Sequence, residues 1–117
     1  MDDCIFCKIV SRKIPKDPKE IVFEDSEFMA FYDLHPKAPV HIQIIPKAHL
    51  TSVKDLKPGE EKLTGSMVRL AKNIAVEKGL AGYKLIFNVG REGGQVIDHL
   101  HLHLLGGWGE APRTVEI

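Results

Sequence analysis

Residues 98–107 read DHLHLHLLGG. His99, His101 and His103 alternate there with Leu100, Leu102 and Leu104. A period of two is that of a β-strand, whose successive side chains point to opposite faces. The spacing predicts a strand over 98–105 with leucines on one face and imidazoles on the other. Burial of the leucine face is worth about 1.5–3 kcal/mol per side chain. The imidazole face is no simple core, because each ring carries a donor and an acceptor that burial would leave unpaired. Three of the six histidines of the chain share this face, which predicts metal binding, catalysis, or a division between the two.

Outward from this strand the pattern is that of an α+β protein. A short amphipathic helix is expected from Cys4 to about Lys13, capped by Asp2 or Asp3 and apolar through Ile5, Phe6 and Ile9. IVFE (21–24) and EFMAFYD (27–33) flank Asp25-Ser26 and predict a hairpin. VHIQIIP (40–46) and YKLIFNV (83–89) predict two more strands. Between them, 58–79 is the one long helix, with Leu63, Met67, Leu70 and Ile74 on a single face and Gly79 as its stop. Strands with one main helix among them predict a five-stranded antiparallel sheet carrying that helix on one face. The length of 117 residues predicts one domain over 1–117.

Composition narrows the function classes. Sixteen basic and sixteen acidic residues leave no formal net charge, which argues against a nucleic-acid partner. Few aromatics argue against a base-stacking platform for single strands. MDDCIFCKIV lacks the basic start of a signal peptide, and no apolar run approaches membrane-spanning length. A cytoplasmic protein with no membrane partner is expected, its two cysteines thiols or metal ligands before a disulfide.

Two chemistries suit the polar residues. A neutral imidazole, with an ordinary pKa of about 6.5, is a nucleophile that can attack phosphorus and form a covalent intermediate. The amides of EGGQV (92–96) can approach phosphate closely. The spacing of Cys4 and Cys7 suits two thiolates on a tetrahedral zinc. It also suits a redox pair, or simply two buried cysteines. A metal shared by His99, His101 and His103 is disfavoured, because strand residues two apart are about 6.6–7 Å apart.

HLHLHLL (99–105) resembles the signature of the histidine-triad (HIT) family, His-x-His-x-His with apolar x. CIFCKIV (4–10), KIP (13–15), the run 22–49 from VFEDS to PKAH, and the run 88–107 from NVGREGGQ to the triad resemble that family in the same order. The most similar branch is the Hint-type nucleoside phosphoramidases. The resemblance implies a HIT-like fold whose sheet extends across a homodimer. It implies a hydrolase that cleaves the P–N or a related α-phosphate bond of a purine nucleoside phosphoramidate and releases AMP or GMP. His101 would be the nucleophile, His103 would contact the phosphate, and His41 would orient the site. Asp33 would bind ribose; Asn88, Gly94, Gln95 and Val96 would hold phosphate and ribose. Ile5, Phe6, Ile9, Phe31 and Leu34 would wall the base. Structural zinc, not needed for catalysis, would sit on Cys4, Cys7, His49 and His99.

The chain departs from the family at Val96, where Hint proteins often carry a serine that serves the leaving group. Its tail is short, and Trp108 fits either a partner's site or local packing. His35 is left without a role. Two other readings are a dinucleoside polyphosphate hydrolase and a non-catalytic nucleotide- or zinc-binding interaction protein. Uridylyltransferases carry Gln at the third triad position, where this chain has His103.

Overall fold

The computed structural model describes residues 3–109. Its five strands are β1 (Ile21–Glu24), β2 (Phe28–Tyr32), β3 (Val40–Pro46), β4 (Tyr83–Ile86) and β5 (Leu102–Gly106). They form one antiparallel sheet in the order β1-β2-β3-β5-β4. Two α-helices flank it, α1 (Ile5–Val10) and the long α2 (Glu61–Glu77). No helix among the described residues is long and apolar enough to cross a membrane.

The alternation of the strands divides the molecule into two layers. On one face, Ala30, Ile42, Ile44, Leu102 and Leu104 pack with Met67, Ala71, Ile74 and Ala75 of α2. On the other, Met29, Phe31 and Ile45 pack with Phe6 and Ile9 of α1. Leu102 is fully buried at the centre of the first layer. Leu102→Ala is expected to cost about 2–5 kcal/mol, read as a lower denaturant midpoint with an unchanged slope.

Register builds the polar floor of the second face. Phe31 pairs with Gln43, Gln43 with His103, and His103 with Ile86. These four side chains form one row across β2, β3, β5 and β4. α2 ends in a Schellman arrangement: Gly79 adopts φ +70°, with Leu80 N–H donating to the Ala75 carbonyl and Gly79 N–H to that of Val76.

Several boundaries differ from the sequence expectations. α1 stops at Val10, and Arg12 adopts a left-handed φ of 69°. Its cap is Cys4, whose Sγ accepts the Cys7 N–H at 3.3 Å; Asp2 lies outside the described residues. α2 begins at Glu61 because Gly59, at φ +92°, breaks the helical run from Pro58. β4 stops at Ile86, which leaves Asn88 in a loop. β5 begins only at Leu102. His99 and His101 lie ahead of the ladder because their segment bonds elsewhere: Leu100 N–H donates to the Leu50 carbonyl at 2.6 Å, and His99 bonds the Pro46 carbonyl at 2.8 Å. The alternating facing survives, with Leu100, Leu102 and Leu104 all in the α2 layer.

Candidate active site

A cleft of about 730 Å³ opens on the α1 face of the sheet. His41, His101 and His103 line it together with Asp33, Asn88, Gly94 and Val96. Ile5, Phe6, Ile9, Phe31 and Leu34 form its apolar part. Leu34 and Val96 are 70% and 79% exposed at its rim, apolar surface placed where a ligand could cover it. Of the residues expected to bind nucleotide, Gln95 alone is absent from the lining.

Hydrogen bonds fix which nitrogen of each histidine carries a proton. His101 Nδ1 lies 2.7 Å from the His99 carbonyl. A carbonyl only accepts, so Nδ1 is protonated and the lone pair of a neutral His101 sits on Nε2. The Lys37 backbone N–H donates to His41 Nδ1 at 3.0 Å, so the proton of neutral His41 is on Nε2. That N–H reaches His103 Nδ1 at 2.9 Å, and the proton of neutral His103 is then on its own Nε2. Burial lowers the pKa of both triad members. His101 moves below its ordinary value. His103 falls to about 4, through burial first and then the neighbouring His101 and His41. Neutral pH therefore finds an unprotonated His101 Nε2 beside an imidazole N–H donor, with ring centroids 5.0 Å apart.

Asp33 anchors the other end of this chain. Burial opposes its charge, but the His35 N–H, Gln43 and the nearby His41 and His103 outweigh that, and its pKa is lowered. His35 thus acts through its backbone, at 2.8 Å from Asp33 Oδ1. Gln43 Nε2 donates to Asp33 Oδ2 at 2.5 Å, and the same oxygen lies 3.5 Å from His41 Nε2. Asp33, His41 and His103 are close enough to suggest a metal triad. The Lys37 N–H on His41 Nδ1 argues against it, since it keeps the proton on the nitrogen a metal would need.

The Gly-rich loop is held from within. Gly94 N–H donates to the Arg91 carbonyl and Gln95 N–H to that of Gly90, each at 3.0 Å. Two of the three amides expected to meet phosphate are therefore already engaged, and the expectation narrows to the Val96 N–H. Gly94 turns the loop at φ +88°, while the Asn88 amide donates to the Gly93 carbonyl at 3.0 Å. The Gln95 side chain is buried and bonds Gly90, Thr51 and Ile97. It supports the loop and does not face the cleft.

Cys4, Cys7, His49 and His99 converge under the N-terminus of α1. His99 Nδ1 lies 3.3 Å from Cys4 Sγ and 3.6 Å from Cys7 Sγ. His49 Nδ1 lies 3.3 Å from Cys7 Sγ. Zinc–sulfur and zinc–nitrogen bonds of about 2.3 and 2.0–2.1 Å around a tetrahedron give S···N edges of about 3.5 Å. The donor set and its spacing fit a four-coordinate metal. His99 Nε2 donates to the Pro46 carbonyl at 2.8 Å, which leaves the lone pair on Nδ1, the atom facing the sulfurs. Spacing pointed to Cys4 and Cys7, and the family resemblance implied His49 and His99; neither showed that Phe6 joins the set to the cleft. The Phe6 ring lies 5.7 Å from His99, 5.4 Å from His101 and 5.6 Å from Phe31.

Sequence reasoning also missed Gln43, Lys16 and Lys37 in the lining. The period of β3 gave a usable signal for Gln43, which shares the facing of His41.

Comparison with known proteins agrees with this geometry. The family model described as "Scavenger mRNA decapping enzyme C-term binding" matches residues 3–112. The purine nucleoside phosphoramidase of Escherichia coli K12 is 44% identical over 108 residues, 91% of this chain and 88% of that protein. A HIT family hydrolase from Legionella pneumophila superposes with a TM-score of 0.87 at 41% identity, covering 97% of this chain and 98% of the other. A zinc-bound histidine triad family protein from Mycobacterium smegmatis superposes at 0.77 with 28% identity, covering 90% and 75%. A five-stranded antiparallel sheet with His101 and His103 in one cleft and His99 in the neighbouring cysteine–histidine cluster defines a HIT-fold protein. The chain belongs to the histidine-triad family.

Proposed function

We propose that the whole chain, 1–117, acts as one HIT domain and hydrolyses nucleotides, cleaving the P–N or a related α-phosphate bond of a purine nucleoside phosphoramidate. The single observation that carries this reading is the His101 tautomer, which leaves an unprotonated Nε2 lining the cleft. Nε2 attacks the α-phosphorus and forms an N–P bond as the P–N bond of the substrate breaks, and the amine departs with a proton taken from solvent. Water then cleaves the N–P bond of nucleotidyl-His101, which releases the nucleoside monophosphate and restores the imidazole. The Nε2–H of His103 is placed to offset charge on a phosphoryl oxygen. Asp33 offers its carboxylate to ribose hydroxyls, and the apolar end of the cleft takes the base. The phosphoramidase relative named above favours this substrate class.

Zinc on Cys4, Cys7, His49 and His99 would supply a structural tie between α1 and the segment carrying His99, outside the chemistry. Four protein ligands leave no open position for substrate. β1 and β4 are the two edges of the sheet, and a homodimer that continues the sheet would cover one of them. The cytoplasm, which keeps both thiols reduced, suits this site.

Assay of adenosine 5′-phosphoramidate and a diadenosine polyphosphate side by side tests the reading. Faster release of AMP from the phosphoramidate supports it. Hydrolysis of the polyphosphate alone overturns the substrate assignment, and hydrolysis of neither favours an interaction protein. The pH profile has a defined sign. Turnover needs neutral His101, whose pKa is lowered by burial. Activity should hold through the ordinary histidine value of about 6.5 and fall only on the acid side of it. A midpoint at or above that value would contradict the burial argument.

A further inference from the structure

The base end of the cleft contains a lysine whose burial the reaction above does not explain. Lys16 lines the cleft beside Ile5, Phe31 and Leu34. Its side chain is only 7% exposed, unusual for a residue that rarely leaves water unless fully paired. An ammonium has three donors. One reaches Glu20 Oε2 at 3.3 Å, and another lies over the Phe31 ring, 4.7 Å from its centroid. No oxygen partner for the third is found among the described residues. Lys16 packs on Phe31, Phe31 on Phe6 and Phe6 on His101, so two rings separate the ammonium from the nucleophile. Lys16 thus lies with the apolar lining, where the base is expected, and away from the phosphate end.

We infer that Lys16 selects the base, donating to the 6-oxo group of guanine or hypoxanthine and disfavouring adenine. Guanine presents O6 and N7 as adjacent acceptors, whereas adenine presents a donor at N6 beside N7. An ammonium facing O6 completes its donor set. Facing the adenine amino group, it meets a second donor and is left with N7 as the one acceptor on that edge. A walled apolar slot alone discriminates weakly between purines, while a buried charged donor adds a hydrogen-bond difference worth about tenfold or more in affinity. The inference rests on the nucleotide-hydrolase reading and deepens it.

Binding of GMP, IMP and AMP to the intact protein by calorimetry tests this without turnover. GMP and IMP are expected to bind the wild type about tenfold tighter than AMP. In Lys16→Met, which keeps the apolar stem over Phe31, the three affinities are expected to converge as GMP and IMP weaken and AMP holds. The comparison of GMP, IMP and AMP in the wild type needs no variant, so misfolding of Lys16→Met would not rescue a failed preference. Equal wild-type affinities, or a uniform loss in the variant, would overturn the assignment. The two readings fail separately. GMP preference without phosphoramidate turnover would refute the hydrolase alone. Turnover without base preference would refute the role of Lys16 alone, and failure to bind any of the three would refute both.

Discussion

His101→Ala is expected to lower nucleoside phosphoramidate turnover by several orders of magnitude while the fold and nucleotide affinity persist. Attack on phosphorus needs a positioned lone pair. The His99 carbonyl holds the His101 proton on Nδ1 and leaves Nε2 to attack. Removing the ring deletes the covalent route and leaves direct attack by water. The ring is buried at 7% exposure, so truncation also leaves space and some loss of stability. That loss is separable, because a melting curve and a nucleotide-binding isotherm report it independently of rate. His103→Ala is a useful contrast. It leaves the nucleophile in place, removes the N–H offered to the phosphoryl oxygens, and frees His41 Nε2–H from its 2.9 Å partner. The smaller loss should fall on His103.

The second large effect concerns stability. Cys7→Ser, or prolonged chelation, is expected to lower the melting temperature by about 10 °C or more, consistent with about 3 kcal/mol for a domain of this size. Calorimetry with and without added zinc reads it, and metal content should fall to zero in the variant. Burial and the adjacent Cys4 thiol push Cys7 up to about 11 without metal, so binding must displace a proton and weaken as pH falls. His99 adds the same trend without metal. Its pKa in the fold is lowered to about 4, through burial first, against about 6.5 unfolded. The unfolded chain therefore binds more protons between these values, and stability is lost as pH falls from about 6.5 towards 4. A chelated protein melting at the original temperature would refute a structural metal. Turnover should survive chelation below the new melting point, since the four ligands lie outside the proposed chemistry.

Most of this site is legible in the sequence because period two carries facing information. The alternation in HLHLHLL put Leu100, Leu102 and Leu104 against α2, as the structure has them, and of the histidines on the opposite side His101 and His103 line the cleft while His99 joins Cys4, Cys7 and His49. Strand boundaries were less legible. His99 and His101 look like strand residues by spacing, yet their segment bonds the Leu50 and Pro46 carbonyls. No local pattern encodes such a long-range partner. The same limit applies to the loop. Gly93-Gly94 reads as a phosphate cradle, but the bonds of Gly94 and Gln95 to Arg91 and Gly90 follow from how the loop folds on itself. Cys4 as the cap of α1 was missed because Asp2 and Asp3 are the usual capping residues. Lys16 was missed because a lysine after a proline resembles a solvated turn, and only packing on Phe31 makes it otherwise. The tail beyond Gly109 lies outside the described residues; Trp108 itself has the Lys84 ammonium 5.5 Å from its ring, a contact within the chain.

The central claim is a covalent bond from His101 to the α-phosphorus. Mixing the protein with adenosine 5′-phosphoramidate, quenching in alkali within the first turnover and mapping peptides by mass spectrometry tests it directly. The account predicts one adenylyl group on the peptide 98–107, located on His101, formed with or without chelator and absent from His101→Ala. Hydrolysis that proceeds with no adduct, or an adduct on His103, would contradict it.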